Sequence, residues 1–145
     1  MNSQYLNPQL KFRVYDKENQ CLCEDAPLFI SKEGELLRRK VTSVRDDFNT
    51  FRFERLSFEN FEVHQITGFK DQNQNEIFEK DCVWHSKTKS FSIIISKANQ
   101  YYLRNTDLDT EILLNSENCE EFVVVGTVYD EQSKLNRRLK QLNLL

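Results

Sequence analysis

In the stretch "LKFRVY" the apolar Leu10, Phe12 and Val14 alternate with Lys11, Arg13 and Tyr15. Successive side chains of an extended chain point to opposite sides, so a repeat of two yields one oily and one amphipathic face and marks a strand. "TFRFERLSF" repeats the pattern with Phe51, Phe53 and, less strictly, Leu56. "SFSIIIS" and "EEFVVVGTVY" are unbroken β-branched runs, suited to strands covered on both faces. The chain therefore reads as mainly β.

Turns fall between these runs. "DKENQ" (16–20) reverses the chain after the first strand, "SKEGE" (31–35) supplies Gly34 for a positive φ, and "SKANQ" (96–100) joins two strand-like runs. With only Gly34, Gly68 and Gly126 available, the left-handed turn positions are expected to fall to Asn, which tolerates that region better than other side chains with a Cβ. Asn73 and Asn75 are the candidates in the amide-rich "GFKDQNQNEIFEKD" (68–81). Residues 34–49 fit neither period, since Leu36, Leu37, Val41 and Val44 suit a strand pair or a short helix equally. At the end, Asp130 is placed to cap a C-terminal α-helix over about 131–143, roughly 20 Å long. Its Leu135, Leu139 and Leu142 form an apolar stripe flanked by Lys134, Arg137, Arg138 and Lys140.

At 145 residues the chain is sized for one compact unit that buries roughly 68–70% of its unfolded surface. Its 11 Phe and 5 Tyr supply enough apolar area to exclude a disordered chain. The N-terminus lacks a signal-peptide layout and no apolar run approaches the length of a bilayer span, so the expected place is the cytoplasm, with no membrane partner. There the four cysteines, Cys21, Cys23, Cys82 and Cys119, stay reduced and are expected as small buried hydrophobes. A net charge of −3 argues against a protein built on bulk nucleic-acid affinity. The charge is unevenly placed, however: 80–104 holds five basic residues against Asp81 alone, and 105–121 holds six acidic residues and no base.

Catalytic chemistry needs groups of matched pKa held together, and the sequence offers few. His64 sits in "FEVHQI", where alternation gives a half-exposed strand histidine, and His85 follows Trp84 in the basic segment. Neither has a serine or cysteine at a spacing that suggests a nucleophile. A zinc site from the four cysteines and a histidine is disfavoured, because C-x-C is a poor structural-zinc spacing. No phosphate loop, dinucleotide fingerprint or paired-carboxylate motif occurs, so the expectation is a protein without catalytic residues, metal or cofactor.

Three segments in order, "KFRVYDKENQ" (11–20), "QITGFKDQNQNEIFEKDCV" (65–83) and "FVVVGTVYDEQSKL" (122–135), resemble the YopX family of phage and prophage proteins. The chain departs from the family pattern at Tyr15, where the family carries Trp, and at Gln74 and Lys80, where it carries Gly. The resemblance implies a small, partly open SH3-like β-barrel preceded by N-terminal strands, divided as 1–60, 61–130 and a helix at 131–145. On this reading a strand ends at Gly68, the loop crosses the barrel mouth, and Ile77 and Phe78 plug the bottom before the next strand begins near Cys82. Gly68, Asp71, Asn73 and Asp81 are then structural, the polar ones bonding loop main chain. Asn73 or Asn75 takes over the tight turn that Gln74 has lost.

Two binding surfaces compete. In one, the helix presents Leu135, Arg138, Leu139 and Leu142 to a host or phage protein or to a second copy in a homo-oligomer, unless the leucines pack on the protein's own barrel. In the other, Trp84, His85, Lys87, Lys89, Tyr101 and Arg104 form an aromatic and basic face for single-stranded nucleic acid. The first, a non-catalytic accessory protein acting through protein contacts, is the stronger expectation; inhibition of a host enzyme or defence system is a further one.

Overall fold

The computed structural model describes residues 12–23, 28–45 and 48–144. Leu10 and Lys11, at the start of the first expected strand, lie outside them. The chain divides into two compact units, Arg13–Val63 and a second that takes in His64–Leu145.

In the first unit β1 (Phe12–Asp16) turns back into β2 (Cys21–Leu22), pairing Tyr15 with Leu22. Asp16 forms that turn. Its Oδ1 accepts the N–H groups of Glu18 and Asn19 at 3.0 and 3.1 Å, and its Oδ2 accepts the Asn19 amide at 2.7 Å. Asn19 is the main reason its carboxyl is held below the usual range. A second sheet runs β3 (Leu28–Ile30), β4 (Leu36–Arg45), β5 (Phe48–Leu56). Gly34, at φ 82°, makes the β3–β4 turn as expected. Of the undecided 34–49 region, the described residues form β4 and the start of β5, its antiparallel partner, while 46 and 47 lie outside them. A register shift between Val41 and Ser43 breaks the alternation there, which is why neither period could be read.

Cross-strand pairs sort the residues of this sheet by face. One side carries Leu36 opposite Leu56, both buried, and Arg38 paired with Glu54 at 3.2 Å. The other carries Phe29, Leu37, Arg39, Phe51, Phe53 and Arg55. The expected oily face of Phe51, Phe53 and Leu56 is therefore corrected. Leu56 points to the buried side, while Phe51 and Phe53 are exposed by 47% and 58%.

β6 (Phe61–Lys70) leads into the second unit and pairs with β7 (Glu76–Phe78). There follows a five-stranded antiparallel sheet ordered β11-β10-β9-β8-β12, made of β8 (Asp81–His85), β9 (Ser90–Lys97), β10 (Gln100–Asn105), β11 (Thr110–Leu113) and β12 (Phe122–Thr127). It curls into a half-barrel. Ala98 and Asn99, at φ 47° and 65°, make the two-residue β9–β10 turn, as right-handed strand twist demands.

The unbroken β-branched runs are explained by two cores, one on each side of β8 and β12. Ile77, Val83, Ile94, Leu103, Leu114, Cys119 and Phe122 fill one side. Cys82, Trp84, Val123, Val125, Leu135 and Leu139 fill the other, where α1 (Gln132–Gln141) lies. Burying Leu135 and Leu139 stabilises the helix by about 1.5–3 kcal/mol each. The helix stops where Asn143 turns left-handed at φ 57° and the Leu144 N–H reaches the Leu139 carbonyl at 2.9 Å. Its N-cap is Glu131, not Asp130 as expected. Asp130 faces back instead, its Oδ2 accepting the Thr127 N–H at 2.8 Å and its Oδ1 the Lys134 ammonium at 2.9 Å.

Candidate functional site

The amide-rich loop is organised by Asp71, which is fully buried. Its Oδ1 accepts the N–H groups of Asn73 and Asn75 at 2.9 and 2.8 Å, and its Oδ2 accepts the Val124 N–H at 2.8 Å. Gln72 N–H adds a bond to the Phe122 carbonyl at 2.9 Å. One carboxylate thus closes the loop on itself and ties it to the outer edge of β12. Asp81 repeats the device with its Oδ2 on the Phe78 N–H at 2.8 Å. Asn73 contributes its main chain, while its side chain is exposed.

Two details of the loop differ from expectation. β6 continues past Gly68 to Lys70, and Gly68, at φ 88°, sits in the irregularity of the β6–β7 pairing between Ile66 and Lys70. The left-handed turn residue is Gln74 at φ 66°, not Asn73 or Asn75, and Lys80 is left-handed too at φ 68°. Both bends are kept because the main chain is held on every side. The Gln74 N–H donates to the Asp71 carbonyl at 3.0 Å, the Lys80 N–H to Ile94 at 2.8 Å, and the Lys80 carbonyl accepts from Val128 at 2.9 Å. Ile77 is fully buried beneath the loop and Phe78 is half-buried.

The sheet does not gather the six residues of the sequence-derived nucleic-acid face. Pairing puts Trp84 with Phe91, while Tyr101 lines the opposite core, so these rings lie on different sides of the sheet. Trp84 is 6% exposed and packs edge-on against Phe91 at 4.8 Å. Tyr101 donates its hydroxyl to the Gln65 amide oxygen at 3.2 Å, and its pKa is raised by burial and then by Glu79. Arg104 stands 3.9 Å from Asp109; Lys87 and Lys89 are exposed in the β8–β9 turn. His85 belongs to that turn. Its Nδ1 accepts the Thr88 N–H at 3.1 Å, which leaves Nε2 as the protonated nitrogen, 3.4 Å from Glu121. Thr88 Oγ1 lies 2.9 Å from Nδ1 and 2.7 Å from Ser90 Oγ. This resembles an acid–imidazole–hydroxyl relay in composition alone. The Nδ1 lone pair that a base would need already receives a main-chain proton.

His64 is fully buried and stacked 6.0 Å from Tyr129, a correction to the half-exposed reading that arises because the turn after β12 covers its side of β6. Cys82 and Cys119 are buried, but Cys21 is exposed and Cys23 half-buried, since β2 is a two-residue strand with little to cover it. Burial, with Asp130 and Asp81 adding repulsion, pushes the Cys82 thiol up to about 12, and burial also raises Cys119. Cys82 and Cys119 lie in different cores.

Of the helix residues, Leu135 and Leu139 are buried against β12 and Leu142 packs beside them. Only Arg138 of the four is exposed, bonded to Gln141 at 3.4 Å. The helix therefore spends its stripe on its own sheet.

Apolar side chains are left uncovered elsewhere. All four residues of β11 are exposed, with Ile112 at 57% and Leu113 at 42%, and Leu108 in the preceding turn stands at 67%. The Leu114 N–H bonds the Tyr101 carbonyl at 2.9 Å, so ladder alternation turns the main-chain groups of Glu111 and Leu113 away from β10. The Leu113 carbonyl is met by the Asn118 amide at 2.8 Å. The aromatic face of β3–β5 is the second uncovered area. Sequence alternation located those rings but not their exposure, and "TEIL" is too short a run between turn residues to mark itself as an edge.

A curled antiparallel half-barrel backed by a helix, with buried acids spent on loop main chain and an open apolar sheet edge, defines a small β scaffold, and the other unit carries the open aromatic face. The family model described as YopX protein matches residues 11–136, and the chain belongs to the YopX family. The chain is similar in structure to protein EF1440 from Enterococcus faecalis, at 17% identity and TM-score 0.56, covering 82% of this chain and 92% of that one. It is similar also to protein yopX from Bacillus subtilis, at 13% identity and TM-score 0.54, covering 83% and 93%. At these identities the likeness is one of fold. No curated protein matches the chain.

Proposed function

We propose that this YopX-family chain is a non-catalytic accessory protein of phage type that works by protein contact, adding an extended segment of its partner to the β11 edge. The observation that supports this most is the edge itself: four exposed residues with the N–H and C=O of Glu111 and the N–H of Leu113 turned outward for a further strand, beside the Leu113 carbonyl that Asn118 holds. Natural edge strands are normally blunted or covered, so one that carries Ile112 and Leu113 invites pairing. Asp107, Asp109, Glu111 and Glu117 surround it, opposed by Lys97 and Arg104, so the fitting partner is an extended, apolar segment with basic residues. A host or phage protein can supply such a segment.

Absence of catalysis is part of the proposal. It is supported by the use of Asp71 and Asp81 as main-chain acceptors and by the occupied Nδ1 of His85. The test is capture from nuclease-treated bacterial lysate by the wild-type chain, by Ile112→Lys and by Phe51→Ser/Phe53→Ser. A protein retained by the wild type and the double variant but lost with Ile112→Lys supports the reading. Equal retention by all three contradicts it.

A further inference from the structure

A different surface, in the unit Arg13–Val63, carries an inference that goes beyond protein docking at β11. Phe29, Phe51 and Phe53 stand on one face of β3–β5, exposed by 42%, 47% and 58%. Large rings left in water on a sheet face mark an interaction site when they cluster, and these do. Phe29 and Phe53 meet edge to face at 5.7 Å, and the Arg39 guanidinium lies 4.7 Å above the Phe51 ring. Arg55 shares the face, held by Glu35 at its rim at 3.0 Å.

The charge around these rings selects the partner. Arg39 and Arg55 share this face with the rings, with Glu35 at its rim, in a protein whose net charge is −3. Glu54 is engaged by Arg38 on the opposite side of the sheet. The aromatic face thus carries two guanidinium groups against one carboxylate at its rim, which favours a ligand with negative charge and flat apolar surfaces. Two residues along a strand span about 7 Å, so Phe51 and Phe53 offer platforms in register along the strand for successive splayed bases. Phosphates need only a few cations nearby, and ring stacking is tolerant of sequence.

We propose that the outer face of β3–β5, with Phe29, Phe51 and Phe53 as stacking rings and Arg39 and Arg55 as phosphate contacts, binds single-stranded nucleic acid. This relocates the aromatic and basic surface expected around Trp84, whose ring is buried, to a sheet where the rings are exposed.

The test is fluorescence anisotropy of the full chain with labelled oligo-dT and oligo-U. With two phosphates neutralised by Arg39 and Arg55, affinity should fall about sevenfold between about 50 and 200 mM salt. Phe51→Ala/Phe53→Ala should weaken binding at least about tenfold, and Arg39→Gln should flatten the salt slope by about 0.7. Both rings are on the surface, so the double variant should keep the wild-type Trp84 emission and so report binding, not folding. Ile112→Lys should bind oligonucleotide as the wild type does, which separates this site from the β11 edge. Preference for oligo-U over oligo-dT, or the reverse, would name the nucleic acid while supporting the site. Failure to bind either, or equal binding by the double variant, would overturn the proposal. So would light scattering in which the double variant alone loses a self-associated form, because the face would then belong to a second copy.

Discussion

Replacing Gln74 with glycine should stabilise the protein. At φ 66° its side chain occupies the left-handed region, which costs a residue with a Cβ about 1–2 kcal/mol. Glycine removes that strain but loses more chain entropy on folding, about 0.5–1 kcal/mol. The net expectation for Gln74→Gly is a gain of about 0.5–1 kcal/mol, because the side chain is exposed and its N–H bond to Asp71 survives the change. Lys80 provides the internal comparison. It has the same backbone strain at φ 68°, but its ammonium lies 5.9 Å from the Tyr129 ring centre. Losing that cation–π contact costs about 0.5–1 kcal/mol, so Lys80→Gly should come out near neutral. Urea unfolding followed by the single buried Trp84 reads both. With a slope of about 2 kcal/mol/M, Gln74→Gly should raise the midpoint by about 0.3–0.5 M. A midpoint lowered by Gln74→Gly would refute the strain argument, since nothing but backbone conformation distinguishes the two residues there.

Other outcomes follow from burial and close approach. A Cβ on Gly126 would meet the Asp130 carboxylate and come within 2.8 Å of a Leu135 methyl, so Gly126→Ala should cost about 1–3 kcal/mol in urea unfolding. A thiol reagent at pH 8 should label Cys21 rapidly and leave Cys82 and Cys119 until the chain is unfolded; rapid native labelling of Cys82 would contradict its packing. Because the folded state holds the Cys82 proton more tightly than the unfolded one, stability should begin to fall as pH rises past 9 and keep falling to about 12. Cys82→Ala should remove that part of the alkaline loss, at the cost of a small cavity.

The strands were legible where alternation or unbroken β-branched character survived, as in β1, β9 and β12. β4 was not, because the shift between Val41 and Ser43 scrambles the period that identifies a strand. Alternation also says which residues share a side, never which side is covered. Phe51 and Phe53 therefore read as core although they face outward, and His64 read as half-exposed although Tyr129 lies against it. Trp84 and Tyr101 are equally aromatic and close in sequence, yet they fall on opposite sides of one sheet because of a register that only long-range pairing sets. The loop was the reverse case. Its family likeness located a structural turn, but the left-handed position stayed at Gln74 because bonds around it outweigh the preference for Asn.

If the loop at 66–81 is scaffold fastened by Asp71, and function resides on surfaces elsewhere, then removing that carboxylate should cost stability and spare binding. The decisive comparison is Asp71→Ala against the wild type, in urea unfolding and in binding assays below the transition. Three main-chain N–H groups lose a charged acceptor, so stability should fall by about 3–5 kcal/mol, while the molecules still folded bind oligonucleotide and protein partner as before. An Asp71→Ala protein as stable as the wild type but unable to bind would contradict the scaffold role and make that carboxylate part of a working site.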